Sequence, residues 1–131
     1  MKKLYAIVFI FLLATSGRAG ELASSFKQAA ALGDAQEKER NAQAYIHLDL
    51  MPYYQQKYMP VFQACLKTME HPDTSNFAFV VTIGADGRVL RIYINNETTL
   101  FACVRPTLEK EQFPHPPFAP YYMNISMQFS K

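Results

Sequence analysis

Tryptophan is absent from this 131-residue chain, cysteine occurs twice, histidine three times and glycine five times. A charge excess of one sign is also missing. The net charge is +2, and Lys2, Lys3 and Arg18 supply three of the thirteen basic residues, so the remainder sets ten basic residues against eleven acidic ones. A near-neutral chain offers no electrostatic footprint for a phosphate backbone, which argues against nucleic acid as a partner. His47, His71 and His115 do not stand at metal-ligand spacing, and no His-Glu-x-x-His helix occurs. The segment Gly84-Ala85-Asp86-Gly87 carries one carboxylate, whereas calcium takes about six or more oxygens. Nor does Lys or Ser/Thr follow Gly87, as a phosphate loop requires. There is no Gly-x-Ser-x-Gly. These absences leave no catalytic constellation, so the expectation is a non-enzymatic chain with no cofactor and no metal.

Long apolar runs are short in supply as well. Met1-Lys2-Lys3 precedes eleven apolar residues, Leu4 to Ala14, and then Thr15-Ser16-Gly17-Arg18-Ala19-Gly20. A basic header, a short apolar stretch and small polar residues have the layout of a secretory signal peptide. As a helix the apolar stretch rises only about 16 Å, half of what a membrane span needs. Residues 1–20 are therefore expected to be a signal peptide, cleaved near Ala19 or after Ser16, the competing reading being a membrane anchor. Cleavage would leave no stable membrane span. The short Lys-Lys header points to bacterial export and the periplasm. In an oxidising compartment Cys65 and Cys103 are expected to form a disulfide. The alternative is a catalytic thiol, disfavoured by the even cysteine count.

What is abundant is apolar and aromatic: 50% of the residues are hydrophobic, with ten Phe and eight Tyr. That suffices for one packed domain. Residues 21–50, rich in Ala, Gln and Glu, predict a helical arm interrupted at Gly33-Asp34, with Asp34 capping a second helix. Over residues 51–70 an apolar stripe recurs every three or four positions and includes Tyr54, Tyr58, Phe62 and Cys65, which predicts an amphipathic helix. Pro60 predicts a kink or break near Met59. Period-two runs predict strands over residues 76–83 and 121–129, and a stretch rich in Val, Leu, Ile and Tyr predicts one over 88–95, joined to the first by a turn at Gly84–Gly87. Between them, Leu100, Cys103, Val104 and Leu108 line one side of a helix over roughly 99–111. The expected fold is α+β: a small antiparallel three-stranded sheet with two helices packed on one face, in the order α-β-β-α-β, preceded by the helical arm. In the last strand, Tyr121, Met123, Ile125, Met127 and Phe129 form an apolar face. Tyr122, Asn124, Ser126, Gln128 and Ser130 form a polar one, expected to meet solvent or a partner.

Several of these stretches carry a resemblance. They are Ala64-Cys65-Leu66, Phe77-Ala78-Phe79-Val80-Val81-Thr82-Ile83, Asp86-Gly87-Arg88-Val89, Cys103-Val104, Gln112-Phe113-Pro114 with Pro116-Pro117, and Met127-Gln128-Phe129. Together, residues 61–129 resemble the C-terminal domain of TonB-like periplasmic proteins, and the paired cysteines are similar to a bacterial subset of that fold. The resemblance implies a domain over residues 51–131 that binds other proteins, its last strand at a sheet edge and open to pairing with an extended peptide. The long Pro-rich spacer of TonB has no counterpart here, so only the binding mode carries over.

The expected partner is a protein of the cell envelope. The candidate partner-binding residues are Tyr122, Asn124, Ser126 and Gln128 on the last strand, with Phe118 and His115 in the neighbouring proline loop. Tyr53 and Tyr122, lying off the apolar stripes, are expected to be partly exposed; Tyr54, Tyr58 and Tyr121 are expected in the core. A second functional class also fits a compact stapled domain: an inhibitor or immunity protein that blocks a hydrolase or toxin.

Overall fold

The computed structural model describes residues 21–129. The signal peptide expected at residues 1–20, and Ser130, lie outside the described residues. The elements follow in the order α1 (Phe26–Glu37), α2 (Arg40–Tyr45), a π-helical turn (Ile46–Leu50), α3 (Met51–Lys67), β1 (Phe77–Ile83), β2 (Val89–Ile94), α4 (Thr99–Glu109) and β3 (Tyr121–Met127). The sheet is antiparallel with spatial order β2-β1-β3, so β1 is central and β3 is an edge.

The α-β-β-α-β core is as the periodicity predicts. Phe77, Phe79, Val81 and Ile83 of β1 and Tyr121, Met123 and Ile125 of β3 share one face with Tyr58 and Phe62 of α3 and Leu100, Phe101, Val104 and Leu108 of α4. Phe77 and Phe79 meet the Phe101 ring at 5.8 and 4.9 Å between centroids, which seats α4 on the middle of the sheet. Cys65 of α3 and Cys103 of α4 form a disulfide that ties these two helices together. Cys65 is buried, but Cys103 is exposed and does not lie with the apolar residues of α4 as expected. The bond therefore closes the outer rim of the helix pair rather than its core.

Two helix expectations are corrected. Pro60 does not break α3, which runs on through it. Proline removes the hydrogen bond to the carbonyl four residues earlier. Here both Pro60 and Gln56 are exposed, so water can take that carbonyl. Nor does Gly33-Asp34 interrupt the arm. Ser25, whose side chain accepts from the Gln28 N–H, is the N-cap, and α1 continues to Glu37.

The larger correction concerns the second face of the sheet. The polar face of β3 is not open along its length, because α1 packs against it and against β1 and β2. Ala29 of α1 joins Ala23, Val80, Tyr93 and Tyr122 in a second, smaller core. The sheet is thus a middle layer, with α3 and α4 below and α1 above. Gly33 allows this contact: a Cβ there would stand 2.7 Å from Oδ1 of Asn124. Among the described residues, no helix is long and apolar enough to cross a membrane.

Candidate functional site: the outer edge of the last strand

Alternate residues of an edge strand turn their N–H and C=O groups inward to the ladder and outward from it. The backbone of Ala78 pairs with Asn95, its N–H donating to the Asn95 side chain at 2.8 Å and its C=O accepting from the Asn95 N–H at 3.1 Å. Its cross-strand neighbour Ser126 therefore faces away from β1. Tyr122 does the same, since its N–H donates to Oε1 of Gln36 at 2.9 Å. Tyr122, Asn124 and Ser126 consequently present the outward row of backbone groups.

Gln36 covers the start of that row. While its Oε1 accepts from Tyr122, its Nε2 donates to the Pro120 carbonyl at 2.9 Å. One carboxamide thus offers the acceptor and donor that a neighbouring strand would offer. Beyond Tyr122, among the described residues, no strand pairs with the outer edge of β3. An uncovered edge is a template for another chain.

Two clefts flank the uncovered part, and Asn124, Ile125 and Ser126 form the ridge between them. On the α3 side a cleft of about 380 Å³ is lined by Met51, Tyr54, Met59 and Met127 among others, with no charged residue. On the α1 side a cleft of about 210 Å³ is lined by Phe26, Ala30 and Asp34 together with Ala78 of β1. Asn124 donates from Nδ2 to the Ala30 carbonyl at 3.0 Å and to the Asp34 carboxylate at 2.9 Å, which fixes α1 along the edge.

The residues expected to meet a partner divide. Ser126 and Gln128 are exposed at the open end of the edge. Asn124 is half-buried beneath α1. Tyr122 is 3% exposed, contrary to expectation, and its hydroxyl accepts from the Ala23 N–H at 3.1 Å. Phe118 lies at the opposite end of β3, its ring 5.7 Å from that of Tyr121. Five residues of strand, roughly 17 Å, separate Tyr121 from Ser126. Phe118 and the open edge are therefore not one continuous surface. His115 is exposed in the same proline segment, where the Pro114 carbonyl accepts from the Tyr45 hydroxyl at 2.8 Å. Tyr53 is partly exposed, and Tyr54, Tyr58 and Tyr121 are buried, as the stripes predict.

A second polar cluster lies elsewhere. Glu111 accepts from the hydroxyl of Tyr53, from that of Tyr58 at 2.5 Å and from Lys57 at 3.2 Å. Burial pushes its carboxyl up, but the Tyr53 and Tyr58 hydroxyls, Lys57 and the Gln112 N–H outweigh that and hold it below its ordinary value. Next to it, the Phe113 N–H donates to the Gly87 carbonyl at 2.9 Å. Gly87 has φ +85°, and a Cβ there would run into the Phe113 carbonyl. The cluster locks α3, the end of α4 and the hairpin turn to each other, and is structural.

Compared with known family models, curated proteins and solved structures, the chain has no match. Among the described residues, no group of three or more His, Cys, Asp or Glu side chains is placed to hold a metal ion. Alternation in the sequence marks the strand but not its surroundings. Gln36 sits in an Ala-rich helix with nothing to mark it, Asp34 reads as a helix cap, Met51 as an ordinary position of an amphipathic helix and Met59 as the place of a kink.

Proposed function

We propose that this protein is an exported, periplasmic protein-interaction module that captures an extended segment of a cell-envelope partner by strand addition at β3. One observation carries the reading: among the described residues no strand pairs with the outward backbone groups from Asn124 to Ser126, which stand between two clefts. An added strand alternates its side chains to the two sides of the sheet, so each cleft would receive every second side chain. Main-chain hydrogen bonds then supply affinity, and the clefts supply selectivity. The resemblance of residues 61–129 to TonB-like C-terminal domains supports the same mode, and the Cys65–Cys103 disulfide fits an oxidising compartment.

The test uses two substitutions at one position. Ser126→Ala keeps the outward N–H; Ser126→Pro removes it while leaving the inward ladder of Ile125 and Met127 intact. Wild type and Ser126→Ala, coupled to a resin, recover the same protein from a periplasmic extract, and Ser126→Pro does not. Equal recovery by Ser126→Pro, with its circular dichroism unchanged, contradicts strand addition.

A further inference from the structure

We propose that the segment added at β3 alternates apolar and basic side chains, the apolar ones entering the methionine-lined cleft and a basic one meeting Asp34. This deepens the strand-addition reading and rests on it.

Cross-strand neighbours share a face. The residue set opposite Asn124 therefore points toward α1, where the Asp34 carboxylate already holds the Asn124 amide at 2.9 Å. Asp34 is exposed, and Asn124 is a neutral partner that uses one of about four acceptor positions on a carboxylate. Of all the residues lining either cleft, Asp34 is the one acidic or basic side chain. Lys27 of α1 and Lys38, its C-cap, line neither. The field of Asp34 reaches along the helix, since the carboxyl of Glu37 is raised by burial and then by Asp34. A lysine or arginine opposite Asn124 finds a counter-charge there; an acidic residue finds repulsion.

The next residue of the added strand points to the α3 side. Its surroundings are Met51, Tyr54, Gln55, Met59, Met127 and Gln128, uncharged and more apolar than polar, and the Tyr54 hydroxyl lies 3.8 Å from the Met127 sulfur. Thioether side chains adapt to differing apolar shapes. Selection on this side is therefore for apolar character rather than for one side chain, which leaves the charge at Asp34 as the discriminating contact. Gln36 bounds the site at Tyr122, so the basic residue falls at the first open pairing position.

The experiment compares two short fluorescent peptides, one alternating valine and lysine and the other valine and glutamate, by anisotropy at low salt. Wild type binds the valine–lysine peptide about fivefold more tightly, the scale of one exposed ion pair against a like-charge contact. Asp34→Asn, which keeps an acceptor for the Asn124 amide, erases the preference, and Asp34→Lys reverses it. If both peptides bind equally, lose binding in Ser126→Pro and ignore Asp34→Asn, the charge assignment is wrong while strand addition stands. If neither peptide binds, or both bind Ser126→Pro as well as wild type, strand addition fails and this inference falls with it.

Discussion

The side-chain amide of Gln36 and the backbone of Tyr122 pair as two strands would, with the Tyr122 N–H donating to Gln36 and the Pro120 carbonyl accepting from it, each at 2.9 Å. A helix residue thereby ends the usable edge of a sheet. The open portion is left with a defined beginning, and this limits where an added segment can start. Replacing Gln36 by Leu removes both hydrogen bonds and costs about 1–2 kcal/mol. Hydrogen exchange at the Tyr122 amide then quickens in the variant, while exchange at Met123, which faces β1, keeps its rate.

Tyr93 and Tyr122 grip a single residue of the arm. The Tyr93 hydroxyl donates to the Ala23 carbonyl at 2.6 Å, and the Tyr122 hydroxyl accepts from the Ala23 N–H at 3.1 Å. Each tyrosine-to-phenylalanine change is expected to cost about 1 kcal/mol. The double variant frees the segment before α1, which limited proteolysis reads as faster cleavage around Ala23. A cleavage rate equal to wild type contradicts the clamp.

The fold was largely legible because its strands and long helices declare themselves by period. Phe77, Phe79, Val81 and Ile83 alternate cleanly, and the α3 stripe reaches Cys65 at helical spacing. The covering of the second face was not legible. Tyr122 lies off the apolar stripe of its strand, nothing marks Tyr93, and their partner α1 is Ala-rich with no strong apolar stripe of its own. Its packing relies on small residues, Ala29 and Gly33, that let the helix backbone approach the sheet. Close approach of small side chains leaves little trace in hydrophobic periodicity. Gln36 shows the same limit, since a glutamine that imitates a strand looks like any helical glutamine until its partner is in place.

Glu111 gives the fold an acid-sensitive lock. Its carboxyl titrates below the ordinary value of 4.5, so it adds stability above that value and loses it as the pH falls through the lower folded-state value. Glu111→Gln is expected to cost about 2 kcal/mol at neutral pH, and the gap to wild type narrows in acid. Urea melts of both proteins from neutral pH down to about pH 3 test this. A gap that stays constant shows that the charge on Glu111 is not what holds Tyr53 and Tyr58.

The disulfide closes a loop of separation 38 between α3 and α4. The chain-entropy relation gives it about 4 kcal/mol. Replacing both cysteines by serine lowers the urea midpoint accordingly, and the reduced wild-type protein matches the double variant. Cys103 is exposed, so the serine there meets no packing penalty and the loss reports mainly on the cross-link.

Strand addition requires the outer edge of β3 to be free in the isolated protein and used in the complex. Residue-resolved amide hydrogen exchange, with and without a saturating valine–lysine peptide, addresses this directly. The amides of Asn124 and Ser126 are expected to exchange fast in the free chain and slowly in the complex, with Met123 and Ile125 slow in both. Slow exchange at Ser126 in the free chain, or no change there on binding, contradicts it.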